Sequence, residues 1–173
     1  FMEQIHAKYP KIKICGSSGP SADGKDFDYG WEQMRKLGVD MVDEHYYKSP
    51  EWFRSNASRY DKYDRKGPKV FAGEYAAHAE NDPNSWEAAL SEAAFMTGLE
   101  RNADVVYQAT YAPLFAHVEG WQWRPDLIWF DNLSSVRSAN YYVQQLYGEN
   151  KGTNVLKLTE NGKAVAVSYT HLT

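Results

Sequence analysis

The stretch Lys69-Val70-Phe71-Ala72-Gly73-Glu74-Tyr75-Ala76-Ala77 decides the fold. Val70, Phe71 and Ala72 form an apolar run too short for a helix, and Gly67-Pro68 bounds it in front. Gly73 then lets the backbone turn or pack closely, and Glu74 follows at once. The expectation is a short buried strand over 69–73 that delivers a carboxylate at the sheet's C-terminal edge. Parallel α/β barrels assemble their active sites at that edge. Read alone, the stretch is equally open to a surface Glu after a strand, solvated or ion-paired. The rest of the chain shifts that balance.

Alternation of strand and helix runs on both sides of it. Met2 to Tyr9 reads as a helix closed by Pro10, and 11–15 alternates as a strand before the Gly16–Pro20 loop. Tyr29 to Leu37 is a helix stopped by Gly38, and 39–44 is the next strand. Ser49 caps and Pro50 opens a helix expected to reach Arg65. After the Glu74 stretch, Ser85 caps a helix from Trp86 to about Asn102. A fourth strand covers 104–110, a Trp-rich loop spans Leu114 to Asn132, and Ser134 to Tyr147 is the last helix. Repeated strand–helix units mean parallel strands with helical crossovers. Long loops after strands and short returns from helices fit a TIM-type barrel. No G-x-G-x-x-G or P-loop pattern favours an open doubly wound sheet.

The expected fold class is therefore α/β: the C-terminal half of a (β/α)8 barrel over 1–150. Half a barrel has raw edges, and helix begins at once after Phe1, so a piece of a longer protein is expected. From Gly152 the texture changes. Asn154–Leu158, Asn161-Gly162 and Ala164–Val167 read as a hairpin, the first strands of a β-sandwich domain over 151–167. Residues 168–173 resemble translated adaptor sequence and carry no weight here.

Composition bounds the function. A net charge of −4 over 173 residues suggests no nucleic-acid partner. No apolar run approaches the ~20 residues of a membrane span. Cys15 is the only cysteine, which excludes an internal disulfide. Compartment and oligomeric state stay open, a homo-oligomer of the longer protein among the options.

Three polar clusters fall at strand ends: Asp43-Glu44-His45-Tyr46-Tyr47, then Gly73-Glu74-Tyr75 with His78 behind, then Gln108 to His117 with Trp121 and Trp123 beyond. In a parallel barrel these ends lie side by side. Carboxylate, imidazole, phenol and indole together suit a sugar ring: one attacks, others hold hydroxyls, and aromatic faces stack on C–H surfaces. Tyr46 and Tyr47 point to opposite faces of an extended segment, so at most one faces the pocket. His45 either contacts ligand or orients a carboxylate. Glu44 is open as a second acid or an outward group. His78 and Glu80 are expected on an exposed loop, Trp52 and Trp86 in packing at helix starts. A metal site of Glu44, His45 and Glu74 competes, although the spacing matches no H-E-x-x-H or Cys-His pattern. A non-catalytic carbohydrate-binding module and another barrel glycosidase are the remaining alternatives.

Four ordered motifs sharpen this: Asp43–Phe53 (DEHYYKSPEWF), Val70–Ala76 (VFAGEYA), Tyr111–Phe115 (YAPLF) and Trp123–Asn132 (WRPDLIWFDN). The chain resembles α-L-arabinofuranosidases of glycoside hydrolase family 51 from about Met2 to Val167. The resemblance implies a (β/α)8 barrel followed by a β-sandwich, and release of terminal arabinofuranose from arabinan, arabinoxylan and related chains with retention, without a metal or other cofactor. It implies that Glu74 is the nucleophile at the seventh strand, and that His45 and Tyr47 line the sugar pocket from the sixth. A glutamine contributed by the eighth strand in some members has only an approximate counterpart in Gln108. The family's acid/base, a Glu in an Asn-Glu pair at the fourth strand, has no equivalent in this chain.

Overall fold

The computed structural model describes residues 1–81 and 83–156 and the backbone of 170–171. Helix α1 (Met2–Lys8) leads to β1 (Cys15–Ser17), α2 (Lys25–Leu37) and β2 (Met41–Lys48). Helix α3 (Pro50–Ser55) and a 3₁₀ turn at Arg59–Lys62 precede β3 (Lys69–Ala77) and α4 (Trp86–Arg101). Then come β4 (Val106–Tyr111), β5 (Phe115–His117), β6 (Ile128–Phe130), β7 (Ser135–Arg137), α5 (Ala139–Glu149), β8 (Asn154–Val155) and β9 (Thr170–His171). Strands β1 to β4 form one four-stranded sheet in sequence order, every pair parallel. The expected half-barrel order is present.

Helix starts obey their capping residues. The Ser49, Ser85 and Ser138 hydroxyls accept from the amides of Trp52, Ala88 and Tyr141 at α3, α4 and α5. Gly38, at φ 69°, takes the left-handed position that closes α2.

Several expected boundaries are corrected. The first strand lies at 15–17, not 11–15, because the Ile14 amide is taken by the Asp40 carboxylate at 2.9 Å and its carbonyl by the Asp40 and Met41 amides. The helix from Pro50 stops at Ser55 instead of reaching Arg65. Asn56 closes it by donating its side-chain amide to the Trp52 carbonyl at 2.8 Å. That break lets the next turn place Arg59, Tyr60 and Tyr63 against β2. The stretch from Leu114 to Asn132 is not all loop: β5 pairs parallel with β6, and β6 antiparallel with β7. Trp86 is exposed rather than packed, whereas Trp52 stacks on Tyr46. The hairpin expected around Asn161-Gly162 lies outside the described residues. At that end Asn154–Val155 pairs antiparallel with Thr170–His171.

The central strand differs most. Strand β3 does not end at Gly73 but runs on to Ala77. Opposite it, Ala72 pairs with Glu44, and the next pair is Glu74 with His45. Gly73 is thus the extra residue of a bulge. Side chains alternate along a strand, so one inserted residue moves everything after it to the other face. Without the bulge Glu74 would follow Val70 and Ala72 under the helices. With it, Glu74 stands on the inner barrel face beside Asp43, His45 and Tyr47. The helix face carries the core, in which Val42, Tyr46, Val70, Ala72 and Tyr75 pack with Phe53 and Phe95.

Candidate active site

Strand β2 sends alternate residues to opposite faces, and the burial pattern follows: Val42, Glu44 and Tyr46 are buried, Asp43, His45 and Tyr47 half-buried. On the inner face the Tyr47 hydroxyl donates to Glu74 Oε2 at 2.8 Å. His45 Nδ1 lies 3.4 Å from the same oxygen. His45 Nε2 lies 2.9 Å from Asp43 Oδ2. The Glu74 side chain is 44% exposed and His45 only 18%, so the carboxylate faces the opening and the imidazole backs it. Burial, then the Glu74 carboxylate that it serves, push the Tyr47 phenol well above its ordinary range. Tyr47 is a neutral donor at any working pH. The His78 ring rests 5.4 Å from Tyr47, and this partial covering of an otherwise exposed residue pulls its pKa below the usual value.

Both neighbours of Glu74 engage Oε2. Among the described residues no hydrogen bond or ion pair is made to Oε1, on a side chain that is 44% exposed. Such a carboxylate is held at one end and available at the other.

The opposite face answers for the other candidates. Glu44 is fully buried and accepts from Trp31 Nε1 at 2.7 Å, from the Tyr60 and Tyr63 hydroxyls at 2.9 Å each, and from the Tyr46 hydroxyl. Arg59 Nε adds an ion pair at 3.4 Å. Burial is the largest influence and opposes the Arg59 charge, but Glu44 together with the Tyr63, Tyr46 and Tyr60 phenols holds the guanidinium above its ordinary value. The expectation that Tyr46 lines the pocket is thereby corrected, and of the two readings open for Glu44 the second acid drops out, because both side chains belong to this buried network. The metal grouping of Glu44, His45 and Glu74 also fails, since Glu44 points away from the other two.

Trp121 is 46% and Trp123 66% exposed. Trp121 sits edge-on to Trp129, with the Arg124 guanidinium 4.2 Å above its ring. Among the described residues neither Trp121 nor Trp123 makes a ring or hydrogen-bond contact with Glu74. Gln108 is exposed on β4, paired across from Phe71. His78 and Glu80 are exposed, as expected.

Two carboxylates were not singled out by sequence. Asp43 backs His45, and the spacing Asp43, His45, Tyr47, every second residue on one strand face, was the signal that could have found it. Asp126, 2% exposed, follows the Trp cluster, and burial raises its carboxyl. Its carbonyl accepts from the Asn84 side chain at 3.0 Å, and Asn84 in turn accepts from Trp129 Nε1. It lies within the Trp123–Asn132 motif, which assigns it no separate role.

Comparison with known proteins gives a consistent result. The family model of the α-L-arabinofuranosidase C-terminal domain matches residues 52–171, and that of the α-L-arabinofuranosidase 1 domain residues 1–65. An extracellular exo-α-L-arabinofuranosidase of Streptomyces chartreusis is 56% identical over 156 residues, 90% of this chain and 18% of the relative. α-L-Arabinofuranosidase 1 of Arabidopsis thaliana is 34% identical, over 96% of this chain and 23% of its own. The chain thus spans about a fifth of the length of these relatives. An arabinose-bound family 51 α-L-arabinofuranosidase superposes with a TM-score of 0.82 at 35% identity, over 99% of this chain and 28% of that one. The Thermotoga maritima α-L-arabinofuranosidase in its arabinose complex shares the fold, with a TM-score of 0.64 at 16% identity, over 90% of this chain and 35% of that one.

Proposed function

We propose a role for the Glu74 pocket from one premise: the chain belongs to the α-L-arabinofuranosidase C-terminal domain family. The complete enzyme is a retaining glycoside hydrolase that releases terminal α-L-arabinofuranosyl residues from arabinose-containing oligo- or polysaccharides. Residues 1–150 supply the second half of its barrel, strands five to eight, and 151–167 begin its β-domain. Glu74 is the nucleophile. The observation that carries this is the Glu74 carboxylate at the open face of a parallel sheet, engaged by Tyr47 and His45 at one oxygen only.

The chemistry follows from that geometry. Oε1 attacks the anomeric carbon and forms a glycosyl ester while the leaving oxygen takes a proton from a general acid. Water, deprotonated by the same group, then releases the sugar with its configuration retained. As charge leaves Glu74 on ester formation and returns on hydrolysis, the Tyr47 hydroxyl follows it through Oε2. The acid/base must stand ~5–5.5 Å from Glu74 for retention. Glu44 faces the wrong way for that task, and the resemblance to family 51 enzymes implies instead a Glu of an Asn-Glu pair at the fourth strand, which has no equivalent in residues 1–173. Gln108, Trp121 and Trp123 are assigned to sugar contacts around the rim.

Glu74→Gln in the complete enzyme tests the reading. The amide keeps the shape and the Tyr47 contact but does not form the ester, so kcat for arabinose release should fall on the order of 10⁴-fold or more. Near-normal turnover would remove Glu74 from the mechanism.

A further inference from the structure

Glu74 is backed by His45, and His45 is itself held from behind. Asp43 Oδ2 stands 2.9 Å from His45 Nε2, and the other ring nitrogen is the one turned to Glu74. An ionised carboxylate only accepts, so Nε2 carries a proton in this contact. A partner on one ring nitrogen fixes both the tautomer and the angle of an imidazole.

Asp43 is built in to a degree that surface packing does not require. Its carbonyl accepts from the Ser18 amide at 3.0 Å and the Ser18 hydroxyl at 2.9 Å, which pins the strand beneath it. Its Oδ1 is buried with no hydrogen-bond partner among the described residues. A buried polar atom left unpaired is costly, so something holds the carboxylate there. The room for it is made at Gly73. A Cβ on that residue would stand 2.0 Å from Asp43 Oδ1 and 3.0 Å from Cγ. The bulge residue that brings Glu74 to the inner face therefore also leaves the space that the Asp43 carboxylate fills. One glycine serves both.

We propose that Asp43 is a positioning residue of this site: through His45 Nε2 it sets the ring, and the ring edge, with Nδ1 3.4 Å from Glu74 Oε2, bounds the place of the Glu74 carboxylate. Its effect on turnover rests on the reading of Glu74 as nucleophile, whereas its hold on the ring does not.

The experiment uses the complete enzyme with ¹⁵N-labelled histidine, the His45 ring signals being identified by their loss in His45→Ala. In the wild type Nε2 should report a bound proton. Asp43→Ala should average the two ring nitrogens, and kcat should fall about 10²-fold, the cost of a nucleophile misplaced by about 1 Å. KM should move by less than roughly threefold, because the lost contact serves the reacting atom more than sugar binding. Asp43→Asn keeps an acceptor oxygen and should recover part of both signals. Gly73→Ala, which displaces the carboxylate without deleting it, should reproduce the ring change of Asp43→Ala. A His45 spectrum unchanged in Asp43→Ala overturns the proposal, and so does a changed spectrum with kcat within twofold of wild type. A wild-type enzyme that releases no arabinose overturns the assigned activity instead, and the ring spectra still decide whether Asp43 holds His45.

Discussion

One inserted residue sorts the two carboxylates of this sheet into different work. Glu74, past the Gly73 bulge, meets Tyr47 and solvent, while Glu44, paired opposite Ala72, is sealed among phenols and an arginine. The two sites should respond oppositely to substitution. Tyr47→Phe removes one hydrogen bond to a charged group, worth about 1.5–3 kcal/mol, so kcat/KM of the complete enzyme should drop about 10- to 100-fold with little change in stability. Glu44→Ala leaves a buried guanidinium without its counter-charge, which costs about 3–5 kcal/mol of stability, while turnover per folded molecule is kept. Urea denaturation beside arabinose release separates the two. A Tyr47→Phe enzyme that melts early at full specific activity would sink the division. The residue types of both sites were legible in sequence. Their faces were not, because alternation carried through Gly73 without the bulge puts Glu74 on the wrong side. Glycine inside a strand was the available sign of a bulge.

Elements of six residues or more were legible where a cap or a stop marked them: Ser49, Ser85 and Gly38 lie where helices begin and end, whereas the last helix, expected from Ser134, begins at Ala139 under a Ser138 cap. Strands of three residues were not, since β5, β6 and β7 are too short to display alternation and are fixed by pairing alone. Between elements, a buried polar line joins the end of β3 to the helices. Glu92 on α4 accepts from the Ala77 amide at 2.7 Å and from Asn140 Nδ2 on α5 at 2.8 Å. Asn140 also receives a longer contact of 3.4 Å from Asn84, which reaches Asp126 and Trp129. Burial raises the Glu92 carboxyl from 4.5 to about 8, against the pull of these donors. Between those values the folded chain binds more protons than the unfolded one, so stability falls as pH rises. The contribution of Glu92 is fully present below about pH 4.5 and lost once pH passes about 8. Glu92→Gln keeps an acceptor and removes the titration. Denaturation midpoints taken across that window should therefore fall more steeply with pH in the wild type than in the variant. Parallel curves would show that Glu92 does not titrate there.

At the scale of the molecule, the sheet order β1-β2-β3-β4 leaves the outer edges of β1 and β4 without a partner strand among the described residues. Large apolar side chains stand open near the β4 edge, Tyr107 at 58%, Leu114 at 47% and Phe115 at 60% exposure. Parallel strands are ordinarily covered on both faces, and a closed barrel leaves no edge. The relatives are several times longer than this chain, which matches 18% of one and 23% of another. From these observations we expect residues 1–173 produced alone to bind substrate weakly and to release no measurable arabinose, even with Glu74, Tyr47 and His45 intact. General acid–base help is worth about 10²–10⁴-fold by itself, and a sugar gripped from one side also loses the orientation that makes attack efficient. The measurement is release of nitrophenol from an aryl α-L-arabinofuranoside by the isolated segment, by the complete enzyme, and by the segment mixed with the separately made remainder of the barrel. Turnover should appear in the second, return in part in the third, and be lost from the third when the segment carries Glu74→Gln. Robust turnover by the segment alone would mean that a proton donor lies within it, on the inner face or at the buried Asp126 beside the Trp loop.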